Sequence, residues 1–528
     1  MLKRGFAYPS MAGIIGIILY ASCFCAAGAM AQGGYPDLSY ETPAHYASPP
    51  IQEPGVPASV ERMGSGFADS GMVEPGMVDP TLSAPVVMGE AGPIMYAQPY
   101  PGVGMPMGGE FVETPVSPCS GLFLHNYNNS EAARNGSLFW GAGSLFVDAW
   151  IAQGLSYSNN DNDEQGPVGP NDSEGYQMNQ LYLSFGRKVE KGCGWSFGGQ
   201  IDLMYGTDYY YASSVGLENT PENAPHWNGN GAGSTYYRGG RNEYGLAMPQ
   251  IYAEVYAPIF CGVDVKIGHF YSVMGFESPV APMNFFYSRS YSSLYGMPST
   301  MTGVMTTSRL GERANLILGA VNEWNAFDTP NDHFSIVAGF SFDSWCKNLS
   351  FSAIVMTGDQ NAPASGSATW SEESANTTLV NLCAILRLTD RLSYTAEFVA
   401  GFDDREVLNN IDLTTFQGRE WYGFSNYLFY RATEQLTLGA RFEWFRDSND
   451  TVVTGGYAVS ATGEAADYFA FTLGANWEPN HWFVLRPEVR WDWSDWEVVD
   501  SEESRLGAYD RNTSRNQFTF GMDAIVKF

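Results

Sequence analysis

The sequence predicts an all-β chain whose larger part closes into a transmembrane antiparallel β-barrel of about sixteen strands, preceded by a disordered N-terminal segment. Three observations lead there. Short segments of alternating apolar and polar residues recur from residue 145 to the end. The connections between them alternate, long then short, along the whole series. The last segment, Gln517 to Phe528, is two-faced and stops on an aromatic.

The N-terminus reads as export. Lys3 and Arg4 precede the apolar run Met11 to Tyr20, and Ala29-Met30-Ala31 before Gln32 has the small-x-small cleavage pattern, so residues 1–31 are expected to be a signal peptide. An anchor helix is the alternative, but the run is short and ends in small residues. Cys23, preceded by Tyr20-Ala21-Ser22, fits a lipobox poorly. No later stretch approaches the roughly 18 uncharged apolar residues that a spanning helix needs. A membrane location therefore requires a barrel.

Residues 32–120 are rich in Pro, Gly and Met, with Gly71-Met72-Val73-Glu74-Pro75 repeated as Gly76-Met77-Val78-Asp79-Pro80. Such frequent Pro erases both helical and strand periodicity, so this stretch is expected to be a disordered periplasmic tether, with the barrel at 121–528.

Composition narrows the class. The chain has 58 Gly, 15% aromatic and only 16% charged residues, less charge than a soluble domain usually carries. Its mean hydropathy is slightly below zero, which a helical membrane protein would exceed. A formal charge of -30 excludes nucleic acid as a partner, because phosphate binding requires clustered Lys and Arg.

The expected strands are 145–157, 178–188, 195–205, 248–257, 262–270, 301–309, 313–321, 334–342, 348–357, 377–387, 392–401, 421–430, 436–445, 466–477, 482–492 and 517–528. Short connections include Val189 to Gly194, Pro258 to Cys261, Leu310 to Glu312, Leu388 to Arg391 and Glu478 to His481. Long ones include 158–176, 206–247, 271–300, 402–420 and 493–516. A soluble sandwich has no reason to sort its loops this way. An outer-membrane barrel does, with short periplasmic turns and long outer loops.

Side-chain parity agrees. In the last strand Phe518, Phe520, Met522, Ala524, Val526 and Phe528 oppose Gln517, Thr519, Gly521, Asp523 and Lys527, and only Ile525 breaks the pattern. In 482–492, Phe483, Leu485, Pro487, Val489 and Trp491 oppose Arg486, Glu488, Arg490 and Asp492. In 436–445, Leu436, Leu438, Ala440, Phe442 and Trp444 oppose Thr437, Arg441 and Glu443. Tyr205, Tyr422, Tyr430, Trp444, Trp477, Trp482 and Trp491 near strand ends suit an interfacial girdle, although aromatics favour strands in any setting.

Two resemblances add to this reading. The last strand resembles the closing strand of bacterial outer-membrane barrels, in which the terminal aromatic, here Phe528, is an assembly signal read by the barrel-assembly machinery. Several stretches are similar to the outer-membrane β-barrel porin-2, or OmpL-like, family: Tyr176 to Leu183, Gln200 to Tyr209, Lys266 to Phe270, Gly275 to Pro279, Pro282 to Tyr291 and Thr302 to Val304. The likeness spans about residues 145 to 528 and is densest in the first half. It implies a bacterial outer-membrane location and a porin.

The connection 271–300 joins the fifth and sixth expected strands. It carries Gly275, Pro279, Pro282 and Pro298, several aromatics, and few charges beyond Glu277 and Arg289. A surface loop is normally more polar, and in sixteen-stranded general porins, which this layout resembles, the loop at this place folds into the lumen and narrows it; the resemblance implies a pore constriction here, with Glu277, Arg289 and Asn284 at the narrowing. A cap packed on the rim is the alternative. The expected lumen-lining residues are Asp202, Glu254, Lys266, Arg387, Glu397, Arg441, Glu443, Arg486, Glu488 and Arg490, where mixed charge can tune selectivity or merely cancel in pairs. The acidic run Asp161, Asp163, Glu164, Asp172 and Glu174 reads either as a cation-attracting mouth or as a solvated loop.

Seven Cys include Cys23 and Cys25 in the signal. Cys193, Cys261 and Cys346 fall in short turns, and Cys119 precedes the first strand, so all four would meet the oxidising periplasm. A Cys193–Cys261 disulfide is the first pairing to test, and no disulfide is the other reading. No paired metal-ligand spacing is present, so neither metal nor cofactor is expected.

No Gly-x-Ser-x-Gly elbow, Gly-Lys-Ser/Thr phosphate loop or His-Glu-x-x-His occurs. His269 sits on the apolar parity of its strand with no Ser beside it in sequence, so no enzyme is expected. The expected function is a passive, water-filled diffusion channel for small hydrophilic solutes or ions, embedded in outer-membrane lipid, with homo-oligomerisation left open. A plugged barrel whose surface loops serve structure or adhesion is the alternative.

Overall fold

The structure, a computed structural model, describes residues 145–160, 165–169, 174–192, 194–218, 244–328, 333–360, 375–408, 415–448, 452–453, 465–496, 498–499, 504–505, 507–510 and 513–528. The expected signal and tether, Cys119 and Cys193 lie outside them, as do Asp161, Asp163, Glu164 and Asp172 of the acidic run.

Sixteen antiparallel strands close into one barrel. They are β1 Leu145–Ser158, β2 Gly175–Arg187, β3 Ser196–Gly206, β4 Gly245–Ala257, β5 Val263–Tyr271, β6 Thr300–Arg309, β7 Ala314–Val321 and β8 Ser335–Asp343. There follow β9 Leu349–Gln360, β10 Ala375–Arg387, β11 Leu392–Leu408, β12 Thr415–Arg431, β13 Leu436–Asp447, β14 Ala466–Asn480, β15 Phe483–Ser494 and β16 Asn516–Lys527. Each pairs with its sequence neighbours, and β16 returns to β1 with Trp150 opposite Lys527 and Ser158 opposite Thr519. Closure leaves no sheet edge, the condition for satisfying the backbone polar groups inside hydrocarbon.

Each expected segment coincides with one of these strands. One expected loop does not survive. The interval 402–420 was assigned to a long connection, but β11 runs on to Leu408 and β12 begins at Thr415, with Asp403 opposite Arg419 and Leu408 opposite Thr415. The alternation continues past the expected end: Phe402 faces out while Asp403 faces in and pairs with Arg419. Charge in this interval marks inner-face pairing across the sheet rather than a turn.

Alternation sets the two faces. On β16, Phe518 and Phe520 are exposed on the outer surface, while Gln517, Thr519 and Asp523 are buried on the inner one. Ile525, the exception in the pattern, faces inward and packs with Trp150 and Val484. The aromatics near strand ends face out, with Tyr205, Tyr430, Trp477, Trp482 and Trp491 all substantially exposed. Phe469 and Trp493 stack at 5.4 Å, and Trp491 and Trp493 lie 4.6 Å apart, extending the aromatic band across β14 and β15.

One irregularity positions functional groups. The β1–β2 register shifts between Ala152 and Gln153, opposite Gln180 and Met178. Asn179 and Gln180 are consecutive yet both buried, and both hydrogen-bond the inner carboxylate of Asp208. Bulges commonly re-aim a side chain in this way.

Candidate functional site

The connection between β5 and β6, residues 272–299, folds into the lumen. Its sequence is apolar enough to bury, and Phe276, Val280, Phe285, Phe286, Tyr287 and Tyr291 are all buried. Local geometry comes from a 3-10 turn at Ala281–Met283 and a short helix, α1, at Tyr291–Tyr295, whose cap is Ser290 accepting from the Ser293 N–H. Asn284 staples the segment to itself. Its Nδ2 donates to the carbonyls of Ser278 (2.7 Å) and Val280 (2.8 Å), and its Oδ1 accepts from the Ser278 N–H (2.9 Å).

The wall holds this loop chiefly by its backbone. Glu397 on β11 accepts from the Phe276 N–H at 2.8 Å, Glu443 on β13 from Tyr291 N–H at 2.8 Å, and Glu488 on β15 from Tyr287 N–H at 2.8 Å. The arginines grip the carbonyls between them. Arg441 donates to Ser288 O (2.9 Å), Arg490 to Arg289 O (2.9 Å), and Arg486 to Ala281 O (2.8 Å) and Asn284 O (2.6 Å). On the far side Gln180 of β2 donates to Pro279 O (2.7 Å) and accepts from the Ala281 N–H (3.0 Å). Strands β2 and β11 lie nearly opposite each other around the ring. The loop therefore crosses the lumen and is fastened at both sides.

Charges in this clamp are paired. Arg441 lies 2.7 Å from both Glu277 and Glu443, Arg490 pairs with Asp492 and Glu443, and Arg486 pairs with Asp523. Buried charges persist only when matched in this way, because desolvating an isolated ion costs several kcal/mol even after relaxation.

Wall glycines make room for the loop. A Cβ on Gly439 of β13 would lie 2.3 Å from the Phe285 ring, one on Gly423 of β12 2.3 Å from Ser292 Oγ, and one on Gly154 of β1 2.4 Å from the Tyr287 hydroxyl. Each occupies an inward position. An aromatic cluster of Phe276, Phe285, Phe286, Tyr427 and Phe429 completes the contact.

The expected site residues take distinct places. Glu277 is not turned to a passage: its carboxylate accepts from Arg441, Tyr427 and the Ser290 N–H. The Arg289 backbone is held in the clamp but its side chain lies apart, donating to Pro279 O at 3.1 Å with its guanidinium 5.5 Å from the Tyr211 ring. Glu397, Arg441, Glu443, Arg486, Glu488 and Arg490 face inward but are buried under the loop. Asp202 is buried among Tyr182, Gln200 and Gln250, which all donate to it. Glu254 is buried, and Lys266 is half-buried with its ammonium 4.5 Å from the Tyr252 ring. Arg387 is half-buried at the turn end of β10.

Inner polar side chains left partly uncovered include Lys266 on β5, Thr307 on β6, and Ser350 and Ser352 on β9. Asn315 on β7 and Ser341 on β8 continue this strip, joined by a 3.2 Å hydrogen bond. These polar residues sit at the turn ends of β5–β9; farther along the same strands the inner positions Met305, Ile317, Val337, Ile354 and Met356 are buried and apolar, in one cluster with Met274 and Met297 of the loop.

His269 has company that its sequence neighbours did not reveal. Ser214 Oγ lies 3.4 Å from its Nε2, and Thr302 Oγ1 lies 2.8 Å from its Nδ1. Ser214 and His269 are completely buried, so the pair ties the β3–β4 connection to β5 rather than meeting a substrate. Cys261 is half-buried and Cys346 exposed in their turns, Cys383 is buried beneath the loop, and the expected partner of Cys261, Cys193, lies outside the described residues. At the mouth, Glu174 accepts from the N–H and hydroxyl of Ser158.

Sequence reasoning missed the wall glycines and the Asn179–Gln180 pair. Glycine at the polar parity of a strand was the available signal for the first, since a lumen-facing strand position otherwise carries a side chain.

A family model described as "Putative beta-barrel porin-2, OmpL-like" matches residues 144–528. No curated protein matches the chain. Among solved structures it is similar to the outer membrane channel DcaP of Acinetobacter baumannii, at 12% identity over 74% of this chain and 99% of that one, with a TM-score of 0.46. It is also similar to the anion-selective porin from Comamonas acidovorans (9% identity, 73% and 99%, TM-score 0.46) and to Salmonella typhi OmpF (10%, 74% and 99%, TM-score 0.47).

Proposed function

The chain belongs to the OmpL-like porin-2 family of β-barrels, and from that premise we propose that this outer-membrane porin passes small hydrophilic solutes or ions by passive diffusion through its lumen. The observation that carries the reading is a loop fastened across the lumen of a closed sixteen-strand barrel, with polar inner residues left partly uncovered at the turn ends of β5–β9. Carboxylates and guanidinium groups on β11, β13 and β15 fix its backbone, while Lys266, Thr307, Ser350 and Ser352 stay partly uncovered. No bond chemistry is needed; size and charge at the narrowing select what passes.

The loop acts as the constriction, with Asn284 holding its turn and the Glu277–Arg441 pair holding it to the wall. Glu254, Lys266 and Arg387 serve the periplasmic vestibule below it. The barrel meets lipid with its outer aromatic face, and its C-terminal strand, ending at Phe528, is the segment offered to the assembly machinery. The Pro-rich residues 32–120 act as a periplasmic tether after removal of residues 1–31, and homo-oligomers form in the membrane. Excision of residues 276–291 tests the constriction: single-channel conductance rises severalfold in a protein that still folds. Unchanged conductance in that folded variant overturns it.

The buried state of the inner faces favours a second reading, a barrel closed by its own loop and serving a surface role. Liposome swelling separates the two, since a closed barrel admits no sugar at any size.

A further inference from the structure

We propose that Arg289 forms an oxyanion-binding subsite in the lumen, which selects carboxylate-bearing solutes; this rests on the channel reading given above. Arg289 is 3% exposed, and its Nε and Nη1 have no hydrogen-bond partner among the described residues. Only Nη2 is engaged, donating to Pro279 O at 3.1 Å. Every other large cation of the loop and its clamp is matched: Arg441, Arg486 and Arg490 each meet carboxylates and backbone carbonyls.

The opposite charge expected to face Arg289 is spent elsewhere. Glu277 is held by Arg441, Tyr427 and the Ser290 N–H. Asp208 lies within the field of Arg289, but its carboxylate accepts from Asn179 and Gln180, and among the described residues no ion pair joins the two. The loop thus presents a guanidinium with two nitrogens unbonded among the described residues, set over the half-buried Tyr211 ring, on the side facing the β3–β4 connection.

A buried guanidinium with two idle nitrogens is costly to hold, and an incoming oxyanion supplies what the fold omits. Carboxylate and phosphate share that chemistry. Tyr211 and Tyr210, whose rings lie 4.0 Å apart, offer a flat apolar surface beside it, which favours a carboxylate on a carbon skeleton over a bare inorganic ion.

The test is planar-bilayer recording of the full-length protein in a salt gradient, with succinate or inorganic phosphate added, for wild type, Arg289→Gln, Arg289→Lys and, in an exposed turn, Arg391→Gln. Succinate is expected to block wild-type current, and Arg289→Gln to weaken that block about tenfold and move the reversal potential toward cation selectivity. Arg289→Lys should retain most of the block, and Arg391→Gln all of it. Block by succinate alone assigns the site to carboxylates, and block by both assigns it to oxyanions generally. Block by neither in a conducting wild-type channel overturns the subsite and leaves the porin reading standing, as does an Arg289→Gln channel indistinguishable from wild type. A wild-type protein that conducts nothing overturns both.

Discussion

Arg441 Nη1 lies 2.7 Å from Glu277 Oε1, joining β13 to the loop between β5 and β6 across 164 residues of sequence. Both side chains are nearly or wholly removed from solvent. The same guanidinium reaches Glu443 and the Ser288 carbonyl, so one wall residue holds two turns of the loop.

Glu277→Ala should leave Arg441 with Glu443 as its remaining carboxylate and remove a buried charge-assisted hydrogen bond, destabilising the folded barrel by about 1.5–3 kcal/mol if the loop stays in place. The loop is expected to leave the wall instead. Single-channel recording should then show a larger and noisier conductance; a quiet channel of wild-type size would show that the ion pair does not hold the loop.

Gly439→Val tests the same anchoring with no change in charge. A Cβ at this position meets Phe285 at 2.3 Å, so the ring has to move, at a cost of about 1–3 kcal/mol for overpacking. Conductance should rise as in the Glu277 variant. Leu438→Val, on the outer face of the same strand, should leave it unchanged.

Thiol labelling reads both orientation and burial. A membrane-impermeant maleimide should reach the exposed Cys346 only after the outer membrane is permeabilised, because the proposed orientation puts the short turns in the periplasm. Cys383, buried under the loop, should label only on unfolding. Labelling of Cys346 in intact cells reverses the topology.

The β3–β4 connection should tighten as pH falls. Burial pushes the Glu218 carboxyl up from 4.5 to about 7 and the Asp208 carboxyl up from 3.8 to about 6. The packed loop therefore holds protons that the released loop gives up. Its anchoring is fully present below the ordinary carboxylate values and is lost as pH rises through about 6 and then about 7. Hydrogen exchange of residues 207–218, corrected for intrinsic rates, should show more protection at about pH 5 than at about pH 8. Equal protection at both would remove these carboxyls from the account.

The sequence by itself determined the barrel. A strand between lipid and an interior must alternate at every residue, so Phe518, Thr519 and Phe520 declare their faces without reference to any partner. Loop length ordered the topology in the same local way, except at 402–420, where inner-face charge resembled a turn. It also marked the β5–β6 connection as one that would fold inward, because Phe276, Phe285 and Phe286 have no place in water. Only the tertiary structure decided which charges meet. Glu277 and Arg289 look equivalent in sequence, yet one is neutralised by Arg441 and the other is left with idle nitrogens. The reason is physical: side-chain direction repeats every two residues and is written locally, whereas an ion pair depends on the path of a loop through space and on glycines that give it room.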